Sequence, residues 1–176
     1  MKTLKHLNIK TFKHYRMGFT LIELLVTVGI IMLLMAAAIP SYNRYGAQNE
    51  LYQVAQTVRT AILTTKNYAI APFSEKSKLE NYSITFQNSG SKLQYIINEK
   101  SASGTREIEN TQFSDISLRS GAATIVFSVE EKGKITSPSG IIDLQLESAR
   151  ALSPDNMLDI QVDAGSGQVI IRKPLK

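Results

Sequence analysis

Cysteine and tryptophan are both missing from this 176-residue chain, and its two histidines, His6 and His14, fall in the first 14 residues. Without cysteine there is no disulfide framework and no thiolate to act as nucleophile or metal ligand. From residue 19 onward there is neither His nor Cys, which excludes a Ser-His or Cys-His nucleophile system and an ordinary zinc site from that stretch. We therefore expect no enzyme, no metal and no cofactor. Acidic residues are missing from the start of the chain: the first is Glu23, whereas Lys2, Lys5, Lys10, Lys13 and Arg16 come before it. The formal charge of +5 belongs to this leader, because the remainder holds 15 basic against 15 acidic residues. A near-neutral remainder gives no general charge argument for a nucleic-acid partner.

Two further patterns lack the context that chemistry would need. Gly165-Ser166-Gly167 has no accompanying Gly-x-x-x-x-Gly-Lys motif and no following helical pattern, so it is not a nucleotide loop. Asp143, Asp159 and Asp163 have no spacing that fits a calcium loop. Small basic clusters, Lys132 with Lys134 and Arg172 with Lys173 and Lys176, would permit phosphate contacts, but Glu130 and Glu131 adjoin the first and favour a solvated surface.

What the chain does have is a long apolar run. From Phe19 to Ile39 it contains 21 residues with one charge, Glu23. As a helix at ~1.5 Å per residue the run reaches ~32 Å, about one bilayer core. A carboxylate at mid-membrane costs near ~3 kcal/mol, less toward the interface, so Glu23 needs a partner or a purpose. The basic flank places the N-terminus in the cytoplasm and the rest outside, a single-pass N-in, C-out arrangement in the cytoplasmic membrane. Ala36-Ala37-Ala38 offers an A-x-A pattern to an ordinary signal peptidase, and an uncleaved anchor is a further alternative. The run is longer than the ~7–15 residues of a secretory signal, which speaks against the former.

Gly29 costs about 1 kcal/mol of helix propensity relative to Ala, and the three alanines allow close approach of a neighbouring helix. Pro40 lacks an N–H and clashes with the carbonyl four residues back, so we expect a kink there, with ending of the membrane helix as the alternative. Continuation is favoured because Leu51, Ala55, Val58 and Ile62, flanked by Val54 and Ala61, recur at helical spacing among polar residues. Tyr42, Tyr45 and Tyr52 fit an interfacial aromatic belt or subunit contacts. After Pro72 the period changes to two, with strands expected at residues 82–86, 93–97, 124–129, 133–136, 141–146, 157–162 and 167–172. Turn-forming residues separate them at 88–91, 101–104, 137–140, 153–156 and 164–167. The expected fold class is α+β: a long N-terminal helix, transmembrane then amphipathic, packed on an antiparallel β-sheet domain of six to eight strands. The expected organisation is leader 1–18, transmembrane half 19–40, amphipathic half 41–70, linker 71–81 and extracytoplasmic β-domain 82–176.

Gly18-Phe19-Thr20-Leu21-Ile22-Glu23 behind a basic leader resembles the class III signal of type IV pilins and of the pseudopilins of type II secretion. The resemblance is strong from Met17 to Tyr45. It implies cleavage between Gly18 and Phe19 by a prepilin peptidase and N-methylation of Phe19. It also implies that Glu23 serves subunit assembly by pairing with the amino group of a neighbouring subunit's first residue, and that Pro40 is the family's helix-kink proline. At an effective dielectric of ~20 and ~4 Å such a pair is worth ~4 kcal/mol before desolvation, enough to offset the burial of Glu23. The order of the C-terminal strands around Gly133-Lys134-Ile135 looks like the minor FimT and GspH type. A C-terminal cysteine pair, as in better-known major pilins, is absent.

The function so implied is a structural subunit, a minor pilin or pseudopilin of a type IV pilus or type II secretion filament. Its partners would be the prepilin peptidase, other pilin or pseudopilin subunits, an inner-membrane assembly platform and the lipid bilayer, with nucleic acid a less favoured one. Two other readings stand beside it: a DNA-receptor minor pilin of a natural-transformation pilus, and a membrane-anchored extracytoplasmic domain unrelated to filaments.

Overall fold

A computed structural model describes residues 18–72, 79–120, 122–151 and 155–173, apart from the side chains of Pro40, Ser41 and Arg44. Most of the basic leader, with His6 and His14, lies outside the described residues, as does Lys176. Helix α1 takes Leu21–Ile70 and so includes Pro40 rather than ending at it. Its end has a local cause: Ala71 N still donates to Asn67 O (2.9 Å), but Pro72 has no N–H with which to extend the ladder. The chain divides into two compact units, Met1–Pro40 and Ser41–Lys176.

In the second unit the helical stripe read from the sequence is the core-facing one. Leu51, Ala55, Val58 and Ile62 are buried, as are Val54 and Ala61, and the stripe continues to Ala47 at one end and to Thr65 and Ala69 at the other. Thr65 enters the core at no cost in unpaired polar groups, because its hydroxyl donates to Ala61 O (2.8 Å). The stripe packs into one core with Tyr82, Ile84 and Phe86, with Phe127, and with Leu144, Leu146 and Ile160. Burying such side chains contributes about 1.5–3 kcal/mol each, which is where the unit's stability originates.

The strands, nine among the described residues, form two antiparallel sheets rather than the single sheet that alternation suggested. The larger sheet is ordered β3-β2-β1-β5-β6: β1 (Leu79–Ser89), β2 (Lys92–Ser101), β3 (Gly104–Phe113), β5 (Ala123–Ser128) and β6 (Lys134–Ser137). The smaller is ordered β4-β7-β8-β9: β4 (Ile116–Leu118), β7 (Ile141–Ser148), β8 (Met157–Asp163) and β9 (Val169–Arg172). The split occurs where the chain turns at Asp115 (φ 62) and β4 pairs with β7 instead of β3. The two sheets are tied at that point by Asn88, which behaves as a substitute strand. Its Nδ2 donates to Leu118 O and its Oδ1 accepts from Leu118 N, both at 2.7 Å.

Two elements differ from the alternation pattern for physical reasons. β1 begins at Leu79, ahead of the alternation that starts at Tyr82, because a bulge between Leu79 and Asn81 breaks the period of two. β3 carries little apolar alternation because it is a sheet edge with most of its side chains exposed, so a polar sequence suffices. Across β1, β2 and β3 one register row reads Tyr82, Glu99, Arg106. Glu99 is nearly buried, and Tyr82 Oη donates to it (3.2 Å) while Arg106 pairs with it (3.3 Å). The pair satisfies a carboxylate that would otherwise be expensive inside.

Candidate functional site

The residues singled out from the sequence lie at the start of α1. Gly18 and Thr20 are exposed and precede the helix, with Phe19 between them 78% exposed. Thr20 caps the helix: its Oγ1 accepts from Glu23 N (3.3 Å), and its carbonyl accepts from Leu24 N (3.1 Å). Thr20-Leu21-Ile22-Glu23 is therefore the S/T-x-x-E pattern of a capping box, a signal that reading Glu23 only as an intramembrane charge overlooks. An acid at this position also complements the positive end of the helix dipole. Glu23 thus has a local reason to be acidic, and its side chain is exposed.

Around it, Leu21, Ile22, Leu24, Leu25, Met32, Leu33 and Leu34 are each more than half exposed. Leu21–Ile39 has a mean hydropathy of 2.6 and is long and apolar enough to cross a membrane. Nothing within 4 Å would meet a Cβ at Gly29, so that residue leaves a shallow notch on the helix surface. Tyr42, Tyr45 and Tyr52 are exposed, and Tyr52 Oη accepts from Gln56 Nε2 (2.9 Å).

The remaining candidates are spread over the second unit. Asp143 and Asp159 lie in a cleft of about 410 Å³ on the smaller sheet, with Gln145, Gln161, Arg172 and Lys173. Each carboxylate is already engaged, Asp143 by Gln161 (3.0 Å) and Asp159 by Gln145 (2.9 Å). Asp163 is elsewhere, closing the β8–β9 turn by accepting from Gly165 N (2.9 Å) and Ser166 Oγ (2.7 Å). Those bonds, that from Ser166 first, hold its carboxyl below the usual range. No three of His, Cys, Asp and Glu come together as a metal site among the described residues.

The basic clusters do not merge. Lys132 and Lys134 line a cleft with Lys66, whereas Arg172 and Lys173 line the one with the aspartates. Lys134 pairs with Glu131 (2.7 Å) and Lys173 with Asp155 (3.6 Å). The Lys66 cleft depends on Gly133 and Gly167 at the β5–β6 and β8–β9 turns. Both have positive φ (77 and 68), and a Cβ on either would approach α1: at Gly133 the Ile70 side chain, at Gly167 the Lys66 Nζ. Tyr95, on β2 of the larger sheet, has its hydroxyl pKa raised by burial and by its hydrogen bond to Glu109.

Comparison with known proteins bears on the first of these places. Residues 16–39 match the family model for the prokaryotic N-terminal methylation motif. Three sequences of the type IV major fimbrial protein FimA of Dichelobacter nodosus are each 46% identical over 55 residues, which is 30% of this chain and 34–35% of theirs. The chain thus spans only about a third of the length of these curated relatives. No solved structure matches it. The N-terminal segment accordingly carries the prokaryotic N-terminal methylation motif over residues 16–39, and the chain is similar, over part of its length, to type IV fimbrial proteins.

Proposed function

We propose that this chain is a filament subunit, a minor pilin or pseudopilin of a type IV pilus or type II secretion machine, made ready by a prepilin peptidase. The peptidase cuts between Gly18 and Phe19 and methylates the new amino terminus at Phe19. The apolar part of α1 holds the subunit in the cytoplasmic membrane, N-in and C-out, until it is assembled. Glu23 pairs with the amino group of a neighbouring subunit's first residue, and Pro40 bends the helix for packing beside other stalks.

The observation that carries this reading is the methylation motif at residues 16–39, whose span includes the helical stretch Leu21–Ile39 with its apolar surface exposed all round. A single-pass anchor needs only the hydrophobicity; the motif and an acid inside the apolar run call for more. A DNA-receptor role draws no support from the basic clusters, which line separate clefts and have acidic neighbours.

The test is the intact mass and first residue of the protein taken from membranes with and without its prepilin peptidase. An N-methylated Phe19 that depends on the peptidase is expected. A chain starting near Ile39, or one that keeps its leader, overturns the reading. In the same cells Glu23→Ala leaves cleavage intact and removes the subunit from filaments; normal incorporation contradicts the pairing of Glu23.

A further inference from the structure

The four edges of the two sheets are not equally protected. β3 carries Arg106, Glu107 and Glu109, charges that discourage strand addition. β4 has three residues, and the N–H and C=O of Leu118 are already bonded to Asn88. β6 has four residues and runs into Pro138, which has no N–H to offer. β9 is different: among the described residues it pairs only with β8 and presents Val169, Ile170 and Ile171 at an edge with no further strand, with no charge until Arg172.

That edge forms one wall of a groove of about 330 Å³, and Tyr52, Gln56 and Arg59 of α1 form the other. Asp163 N donates to Gln168 O (3.0 Å), which sets the alternation along the ladder. The amide of Ile170 then turns toward β8, while those of Val169 and Ile171 turn outward. Backbone groups of this kind, left outward at a sheet edge, are open to pairing with an added strand. The helix wall is polar and positive, with no acid among the lining residues and no ion pair of Arg59 among the described residues. The outer face of the edge is apolar at Ile170.

We propose that this groove accepts an extended segment of another polypeptide as a fifth strand beside β9, a segment alternating carboxylate with β-branched side chains. Main-chain hydrogen bonds to Val169 and Ile171 supply the register, the carboxylates turn toward Arg59, and the branched residues lie beside Ile170. Four residues of β9 span ~13 Å, so four or five residues of the partner are ordered. The proposal stands independently of the filament reading, because it uses only the second unit.

The test uses the full chain in detergent micelles and an eight-residue synthetic peptide alternating valine and glutamate. Saturable binding is expected, with amide exchange at Val169 and Ile171 slowed about tenfold or more at saturation. Arg59→Glu weakens binding by about tenfold or more. Ile171→Pro removes an outward donor while leaving the bonds to β8 that run through Ile170, and it abolishes binding. If that variant has a lowered Tm, the Arg59→Glu result and a valine–lysine peptide, which is expected not to bind, carry the test. Absence of saturable binding, equal binding of the lysine peptide, or exchange protection that grows with protein concentration without peptide overturns the proposal, the last by making a second copy the occupant.

Discussion

Gly133 shows how much one residue can decide here. Its φ of 77 is a region that other residues adopt at a cost, and a Cβ there would sit 2.8 Å from Ile70 Cγ1 and 3.0 Å from the carbonyl of Lys66. Gly133→Ala is therefore expected to cost about 1–3 kcal/mol, read as a lower urea midpoint with unchanged slope. Asp163 gives a pH-dependent counterpart. Its folded pKa lies below the ordinary 3.8, so its contribution is present above that value and is lost as pH falls through the lowered one. Tyr95 has the opposite sign: raised above 10.0, it contributes fully below that value and loses the contribution as pH climbs through its folded pKa. Urea unfolding across pH is expected to show a shallower acid limb in Asp163→Asn and a shallower alkaline limb in Tyr95→Phe. Gly167 falls in a turn read from the sequence, whereas Gly133, expected to open a strand, lies in the turn before β6. The closeness of either to α1 is not legible locally, since it depends on which loops fold back on the helix.

Among the elements, α1 was legible and the division of the strands was not. The spacing of Leu51, Ala55, Val58 and Ile62 identifies one face because a helix repeats every 3.6 residues, whatever packs against it. Strand alternation gives a buried face in the same way, but it says nothing about which strand lies alongside. β4 joins β7 across the chain, and Asn88 then stitches the end of β1 to it. Asn88→Ala leaves the N–H and C=O of Leu118 without those partners, at an expected cost of about 1–2 kcal/mol since the site is only partly buried. A thermal melt that matches the parent would contradict that role. β3 was missed because an exposed edge needs no apolar signature.

At the scale of the whole molecule, the core begins at Ala47 among the described residues and draws on the helix and both sheets, whereas Leu21–Ile39 is exposed. A chain starting at Ser41 is therefore expected to stay in aqueous solution with a single cooperative unfolding transition. Loss of cooperativity in its melt would mean that the first unit contributes to the fold. The sequence by itself determined the apolar run, the methylation motif, the core face of the helix and several of the turns, because each is written in composition and local period. Its Thr20-x-x-Glu23 pattern also held the helix cap, a purely local signal. Tertiary structure alone decided the two-sheet arrangement, the separation of Asp163 from Asp143 and Asp159, the dispersal of the basic clusters into different clefts, and the open β9 edge beside Arg59. All of these depend on pairing between residues far apart in the chain, and no local pattern encodes which distant partner will close a sheet or leave an edge free.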